Sequence, residues 1–184
     1  MGGMMKGVVF TEFLDFVAMR FGDDMVDDII AASQLPSGGA YTAVGTYSHA
    51  EMASLCQALA ARSEQPVPAL LRSFGEHLSV RFAQHYPAFF SRSKGFFDFL
   101  ESIEAHIHVE VRKLYPDAEL PSFRIERREP ALIVMQYRSP RRLEALAEGL
   151  ILGSARHFGV AVQVSSGPLE DGDGEGTRFV VERL

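Results

Sequence analysis

The sequence predicts a single α+β domain, in which a helical first half is followed by four antiparallel strands and one further helix. Apolar residues recur every three or four positions up to about residue 115 and alternate with polar residues after Pro121. Helical spacing returns only between residues 143 and 158. Because no linker long enough to separate two domains interrupts the 184 residues, we read residues 5–184 as one domain behind a short extension, residues 1–4.

The segment before residue 90 contains four predicted helices with recognisable ends. The first two are short and amphipathic, and they meet at Gly22. A glycine-rich stretch, residues 35–46, predicts a loop, after which Ser48 is the predicted cap of the third helix. Pro66 ends that helix, and the fourth continues to a break near Pro87.

Two hairpins are predicted after Pro121, with the last helix between them. Strict alternation predicts a first hairpin that turns near residues 129–130 and a second whose strands are joined by residues 167–176. The acidic run at residues 171–175 lacks the later bidentate glutamate and the flanking helices of a calcium loop. It therefore predicts an acidic turn and not a metal site.

Composition and charge exclude several classes of protein. The chain is 47% hydrophobic, which is typical of a globular domain, and contains no apolar run long enough for a membrane span. Eighteen basic against 24 acidic residues give a net charge of -6, so neither nucleic acid nor an anionic membrane is an expected partner. The single cysteine, Cys56, fits a reducing compartment, and we expect a cytoplasmic protein.

A predicted long helix, from about Ser93 to Tyr115, carries two histidines beside an unusually aromatic stripe. The stripe consists of Phe96, Phe97, Phe99, Leu100, Ile103, Ile107, Val111 and Leu114. At about 100° per residue, His106 and His108 lie on opposite flanks of this stripe, at similar angles from its centre. Periodicity therefore leaves open which histidine faces the core. It also leaves open whether either is a metal or haem ligand or only a boundary residue.

Tyr137, Ser139 and Arg141 recur at two-residue spacing at the end of a predicted strand, so they share one side of an extended segment. Hydroxyl groups donate single hydrogen bonds and a guanidinium binds a carboxylate with two. Such a row suits a ligand that bears paired carboxylates. It equally suits a solvated strand end that enters the next helix, and the three residues alone leave both interpretations open.

Four segments resemble the haem-NO-binding family, the H-NOX domains, in its bacterial stand-alone type. The similarity covers residues 5 to about 183. Its most specific feature is the Tyr-x-Ser-x-Arg motif, which begins 29 residues after a helical histidine, His108. The segments are Met5–Phe10, His106–Pro116, Tyr137–Arg141 and Glu148–Ile151.

The resemblance implies a cofactor, haem b (iron protoporphyrin IX), held between the helical part and the strands. In the family, the histidine matching His108 is the proximal iron ligand, which leaves the opposite face of the iron open to a diatomic gas. The residues matching Tyr137, Ser139 and Arg141 bind the haem propionates. Pro121 matches a proline that packs against the porphyrin and helps to hold it out of plane.

On the distal side of the haem, the resemblance places Phe13, Leu78 and Leu146. Oxygen-binding members of the family have a hydrogen-bonding tyrosine nine residues after the motif tyrosine, where this chain has Leu146. We therefore expect a wholly apolar distal face. Bound O2 depends on a hydrogen-bond donor, whereas NO and CO bind ferrous haem firmly without one.

These observations lead to the hypothesis of a haem-based nitric oxide sensor that also binds CO. We expect no enzymatic activity, because no nucleophile with a positioned base is evident. Because the sensing domain accounts for all 184 residues, we expect signalling in trans, and the resemblance implies a histidine kinase or a cyclic-di-GMP enzyme as the partner. Two alternatives stay open. Leu146 argues against an oxygen-binding haem protein, and the intact His108 and Tyr-x-Ser-x-Arg motif argue against a haem-free interaction domain of the same fold.

Overall fold

The structure is a computed structural model that describes residues 3–169 and 176–184. It confirms the α+β class, with helices first and a four-stranded antiparallel sheet after them. The first elements are β1 (Met4–Lys6), α1 (Gly7–Phe21), α2 (Asp23–Ala32), β2 (Thr46–Ser48), α3 (His49–Ser63) and α4 (Val67–His85). They are followed by α5 (Pro87–Ser91), α6 (Phe96–Ser102), a π-helical segment (Ile103–Ile107) and α7 (His108–Leu114). The last are β3 (Ser122–Arg128), β4 (Leu132–Arg138), α8 (Glu144–His157), β5 (Val162–Pro168) and β6 (Thr177–Arg183). Among the described helices, none has the length and apolar composition needed to cross a bilayer.

The sheet has the strand order β3-β4-β6-β5, and all its neighbours are antiparallel. As predicted, β3 and β4 form a hairpin that turns at residues 129–130, and α8 lies between it and the second hairpin along the chain. Strand β4 is central, which is why Ile133 and Met135 are fully buried. The predicted acidic turn at residues 171–175 lies outside the described residues.

A two-stranded ribbon near the N-terminus is missing from the sequence prediction. Strand β1 pairs antiparallel with β2, so that Met4 lies opposite Ser48. Strands of three residues are too short to show alternation, and the sequence therefore predicted only a loop and an extension there. The ribbon includes Met4, and the carbonyl of Gly3 accepts a hydrogen bond from the His49 N–H. Residues 3 and 4, which the sequence analysis assigned to an extension, therefore take part in this pairing.

Two hydrophobic cores meet at α8. The core of the helical part includes Phe10, Phe13, Phe16, Val17, Leu55, Leu59, Leu70, Phe74, Leu78 and Leu146. The core against the sheet includes Phe90, Phe97, Phe99, Leu100, Ile133, Met135, Ala147, Ile151 and Phe179. Helix α8 therefore supplies Leu146 to one core and its neighbour Ala147 to the other. A displacement of α8 acts on both cores at once.

Helices α4 and α8 pack closely because glycines lie at their contact. A Cβ on Gly75 would lie 2.3 Å from the Leu146 carbonyl oxygen, and a Cβ on Gly149 would lie 2.1 Å from that of Arg72. Both distances are too short for any side chain. An ion pair between Arg72 and Glu148, at 2.9 Å, joins the two helices beside this contact. The pair of helices thus connects the two cores through backbone contact.

The predicted long helix is interrupted by the π-helical segment, which ends at His108. The His108 N–H donates to the carbonyl of Ile103, five residues earlier, whereas an α-helical N–H donates to the residue four earlier. This wider turn rotates the residues after it relative to the aromatic stripe. A constant angle per residue consequently failed to distinguish the histidines. In the structure, His108 is 8% exposed and His106 is exposed.

Candidate functional site

A cavity of about 300 Å³ lies where the two cores meet, and residues of both line it. This volume is at the lower end of the roughly 300 to 1,000 Å³ typical of pockets for small molecules and cofactors. We call the side formed by α1, α4 and α8 the helical wall; it consists of Val8, Val9, Leu78, Phe82, Leu146 and Leu150. We call the opposite side the histidine wall; it consists of His108, Pro121, Phe123, Tyr137, Ser139 and Arg141.

His108 is the titratable group of the histidine wall best suited to bind a metal. Its Nδ1 lies 3.1 Å from Glu104 Oε2, and Nε2 has no hydrogen-bond partner within residues 3–169 and 176–184. Burial lowers the pKa of His108 below its ordinary value, and the hydrogen bond with Glu104 opposes that shift. Burial thus favours the neutral imidazole, the form that coordinates metal ions. His106 does not line the cavity.

The structure brings Tyr137, Ser139 and Arg141 together at the cavity, although only Tyr137 lies on an extended strand, because β4 ends at Arg138. Tyr137 lies at the end of β4 opposite Phe123. The chain then turns, and the Arg141 N–H donates to Ser139 Oγ at 3.3 Å. Burial raises the pKa of Tyr137, while its hydrogen bond with Ser139 and the positive charge of Arg141 act in the opposite direction. Two hydroxyl groups and one cation therefore share this end of the histidine wall.

The Arg141 guanidinium is partly engaged by backbone groups. Nη1 donates to the Met4 carbonyl at 2.6 Å, and Nη2 donates to the Glu119 carbonyl. Nε is buried and has no partner among the described residues. Burial lowers the pKa of Arg141, since a low-dielectric environment disfavours the cation. An anion beside Nε would offset both unfavourable features.

Of the other residues predicted to line the cavity, all but one do so in the structure. Pro121, Leu78 and Leu146 line the cavity. Phe13 does not: its ring is fully buried behind the helical wall and packs edge to face on Phe74, with centroids 5.1 Å apart. The physical reason is the direction of α1, which presents Val9 to the cavity and turns Phe13 into the helical core.

The prediction of a wholly apolar distal face is also corrected. Ser79 of α4 and Ser154 of α8 line the cavity, and their hydroxyl oxygens lie 3.1 Å apart. Both residues are almost fully buried. Ser154 follows Ala147 and Ile151 at helical spacing, so periodicity contained a signal for it. Glu104, four residues before His108, was likewise detectable as a helical i, i+4 pair.

A family model described as Haem-NO-binding matches residues 6–166. The chain belongs to the haem-NO-binding (H-NOX) family. The family is that of haem-based gas sensors, and the resemblance of the sequence motifs is thereby confirmed. No curated protein gives a significant sequence match.

Solved H-NOX structures share the fold over nearly the whole chain. The Fe(II) unliganded H-NOX protein from K. algicida is 39% identical, with a TM-score of 0.91, and the alignment covers 98% of this chain and 97% of that one. The Fe(II)NO form from S. oneidensis is 27% identical, with a TM-score of 0.89 and coverage of 98% and 99%. The Fe(II)CO form from Shewanella woodyi is 36% identical, with a TM-score of 0.83 and coverage of 98% and 95%.

The residues of this H-NOX chain fit a haem. The cavity walls are largely apolar, as a porphyrin requires, and one buried imidazole has a nitrogen without a hydrogen-bond partner among the described residues. Half-buried Arg141 has a buried Nε without an acceptor among the same residues, beside two hydroxyl groups, and these groups suit carboxylates such as propionates. The donor set would therefore supply one axial ligand to a haem iron and partners for two anionic substituents.

Proposed function

We propose that this H-NOX chain is a sensor of nitric oxide that contains haem b and also binds CO. In this proposal His108 is the axial iron ligand, and Tyr137, Ser139 and Arg141 bind the propionates. The observation that carries the proposal is the buried His108, whose Nδ1 is engaged by Glu104 while Nε2 is left without a partner among the described residues. When bound, the ferrous haem supplies the open iron position at which these gases coordinate.

The chain's own residues provide affinity, orientation and exclusion of water. His108 supplies a neutral imidazole, which needs no proton loss before it binds a metal. Arg141 supplies charge compensation for propionates that leave water. Pro121 supports the face on the histidine side. On the other side, Leu78 and Leu146 offer no hydrogen-bond donor, so this part of the wall favours NO and CO over O2.

Signalling in this proposal uses the two cores. Helix α8 belongs to both, and glycines hold it in backbone contact with α4. A state of the cavity that favours one position of α8 biases the packing of the helical part against the sheet. Ligand binding shifts such an equilibrium only through different affinities for the two packings. The surface that changes would then be read by a separate cytoplasmic enzyme, either a histidine kinase or a cyclic-di-GMP enzyme.

Absorption spectroscopy tests the sensor proposal directly. We expect purified ferrous protein to show a haem spectrum that changes on addition of NO and of CO and does not change in air. A chain that takes up no haem when haem is supplied would refute the proposal. A stable oxygen complex in air would instead support an oxygen-binding protein.

Activity measurements test the role in trans. We expect no cyclase, kinase or phosphodiesterase turnover by the purified chain. A partner enzyme mixed with it should show different rates in the ferrous and NO-bound states. Equal affinity and equal activity in both states would eliminate this chain as the regulator of that enzyme.

Oxygen binding is retained as a second candidate because of the hydroxyl groups of Ser79 and Ser154. In the hydrogen bond between these two hydroxyl groups, one O–H donates and the other hydroxyl accepts. The O–H of the accepting hydroxyl therefore has no acceptor among the described residues and is available in the cavity wall. If this donor stabilises bound O2, the wild-type protein will form an oxygen complex that Ser79→Ala and Ser154→Ala weaken. Absence of that complex in the wild type eliminates this candidate.

A further inference from the structure

The carboxylate of Glu104 occupies a position between the histidine wall and the first strand of the sheet. Oε2 lies 3.1 Å from His108 Nδ1 and accepts a hydrogen bond from the Phe123 backbone N–H, also at 3.1 Å. Oε1 lies 3.6 Å from Arg112 Nη2. The Glu104 carboxylate thus contacts two residues of α7, His108 and Arg112, and one residue of β3, Phe123.

This arrangement lies at the π-helical segment. Glu104 lies within that segment and His108 follows its last residue. The four-residue spacing places the Glu104 side chain beside the imidazole, and the same carboxylate is close enough to β3 to accept from Phe123. Segments of π-helix are concentrated at functional sites, which agrees with a specific role for this one.

We propose that Glu104 is a positioning residue for His108: it accepts the Nδ1 proton, fixes the tautomer in which Nε2 is the free nitrogen, and strengthens the bond from Nε2 to iron. This inference rests on the proposed function. A carboxylate that accepts a hydrogen bond from a metal-bound imidazole increases the basicity of that ligand and restricts the rotation of its ring. Because Glu104 also holds Phe123, it couples the orientation of the imidazole to the position of β3.

The iron–imidazole stretching frequency, measured by resonance Raman spectroscopy on ferrous protein, tests the proposal. Glu104→Gln retains an oxygen acceptor and removes the charge, whereas Glu104→Ala removes both. We expect the frequency to fall in Glu104→Gln and to fall further in Glu104→Ala. Haem dissociation should accelerate in Glu104→Ala by roughly ten- to a hundredfold, the range typical of lost partners of metal-ligating histidines.

Glu110→Gln is the matched control. Glu110 lies on α7, and its carboxylate pairs with Lys113 at 2.7 Å. An effect of lost net charge that requires no contact with His108 would appear in Glu110→Gln as well as in Glu104→Gln. We expect the frequency of Glu110→Gln to equal that of the wild type.

A second experiment leaves Glu104 in place and so does not depend on the folding of its variants. In His108→Gly protein reconstituted with haem, added imidazole has an N–H that reaches Glu104, whereas 1-methylimidazole has none. We expect a higher iron–ligand frequency with imidazole, and a smaller difference between the two ligands when Glu104→Gln is added. The two ligands differ in mass, which by itself shifts the frequency. Because this mass effect is the same with and without Glu104→Gln, comparing the two frequency differences removes it.

The outcomes separate this inference from the proposed function. If the wild type shows no iron–imidazole band that His108→Gly removes, the proposed function fails. If the band is present but Glu104→Gln and Glu104→Ala leave it unchanged, the positioning role alone is refuted. In His108→Gly protein, the difference in iron–ligand frequency between imidazole and 1-methylimidazole should shrink when Glu104→Gln is added. If that difference stays the same, the positioning role is refuted independently.

Discussion

The two walls of the cavity are built by different means. On the histidine wall, hydrogen bonds and charges hold the functional side chains: Glu104 contacts His108, and backbone carbonyls accept from Arg141. On the helical wall, packing holds them: Leu78 is almost completely buried in the helical core, and Leu146 lies on a helix fixed by glycine contacts. The contrast assigns different tasks to the walls. Under the proposed function, the histidine wall would determine whether a haem binds, and the helical wall would determine which gas the haem accepts.

The largest effect is expected on the histidine wall at His108. His108→Gly should abolish stable haem uptake unless free imidazole is added, since no other imidazole lines the cavity among the described residues. The haem content of purified protein is the measurement. His106→Gly removes an exposed histidine two residues away and should retain haem. If instead His106→Gly lost haem and His108→Gly retained it, His106 would be the ligand and the histidine wall would be wrongly defined.

Arg141 should have the next largest effect. Arg141→Ala removes a charge-assisted donor from partly buried anions, which typically costs about 1.5 to 3 kcal/mol. Haem retention should therefore fall by roughly tenfold or more. Arg141→Lys should restore it only in part, because an ammonium lacks the planar pair of donors. Competition for haem with apomyoglobin gives the affinities; equal values for wild type and Arg141→Ala would remove Arg141 from the propionate site.

On the helical wall, Leu146→Tyr should change selectivity and leave haem content unchanged. The new hydroxyl offers a donor to bound O2, and a single hydrogen bond contributes about 0.5 to 1.5 kcal/mol. We expect at least weak O2 affinity in the variant, seen as a spectral change of ferrous protein in air. Leu146→Phe adds a ring without the donor and is the control. An oxygen complex of the Phe variant would show that the shape of the wall, and not hydrogen bonding, sets selectivity.

The smallest expected effect concerns His77, behind the helical wall. Burial lowers the pKa of His77, opposed by Glu12 and Asp15 and reinforced by Arg81. As the pH falls, His77 therefore binds its proton at a higher pH in the unfolded chain than in the folded protein. The contribution of neutral His77 to the free energy of unfolding is complete above pH 6.5 and is lost as the pH falls through the lower pKa of the folded state. We expect the free energy of unfolding of His77→Gln to fall less steeply with decreasing pH than that of the wild type, by at most about 1.4 kcal/mol per pH unit.

Urea unfolding of the wild type and His77→Gln at pH 7.5 and 5.5 measures the difference. Part of the pH dependence should survive in the variant, because burial also lowers the pKa of His49. The haem content at the two pH values should not differ between the proteins if the helical wall has no part in anchoring the cofactor. A pH-dependent loss of haem confined to His77→Gln would contradict the division between the walls.

Local patterns in the sequence were sufficient for most of the fold. Apart from α5, the helices and both hairpins follow from apolar spacing, and the spacing of Tyr137, Ser139 and Arg141 was visible in the sequence, although a turn after β4 and not an extended chain brings Arg141 to the cavity. These features depend on neighbours in the sequence. The ribbon of β1 and β2 does not, since three-residue strands are stable only through pairing across about 40 residues of chain.

The site details that were missed depend on tertiary geometry. A π-turn changes the direction of His108 without any change in residue type, so apolar periodicity left both histidines possible. Phe13 is as apolar as a cavity residue, and only the direction of α1 shows that it faces the helical core. The hydrogen bond from Phe123 to Glu104 requires β3 to lie against the π-helical segment, which no spacing in the chain reveals.

Strand β1 has a practical consequence for handling the protein. Both backbone groups of Met4 are engaged near the site: the N–H donates to Glu119 and the carbonyl accepts from Arg141. Met5, the next residue, lines the cavity. An affinity tag or fluorescent fusion attached ahead of β1 would therefore add chain at the edge of the cavity. Leu184 follows β6 and is 82% exposed, so a tag after it is the better choice for spectroscopic work.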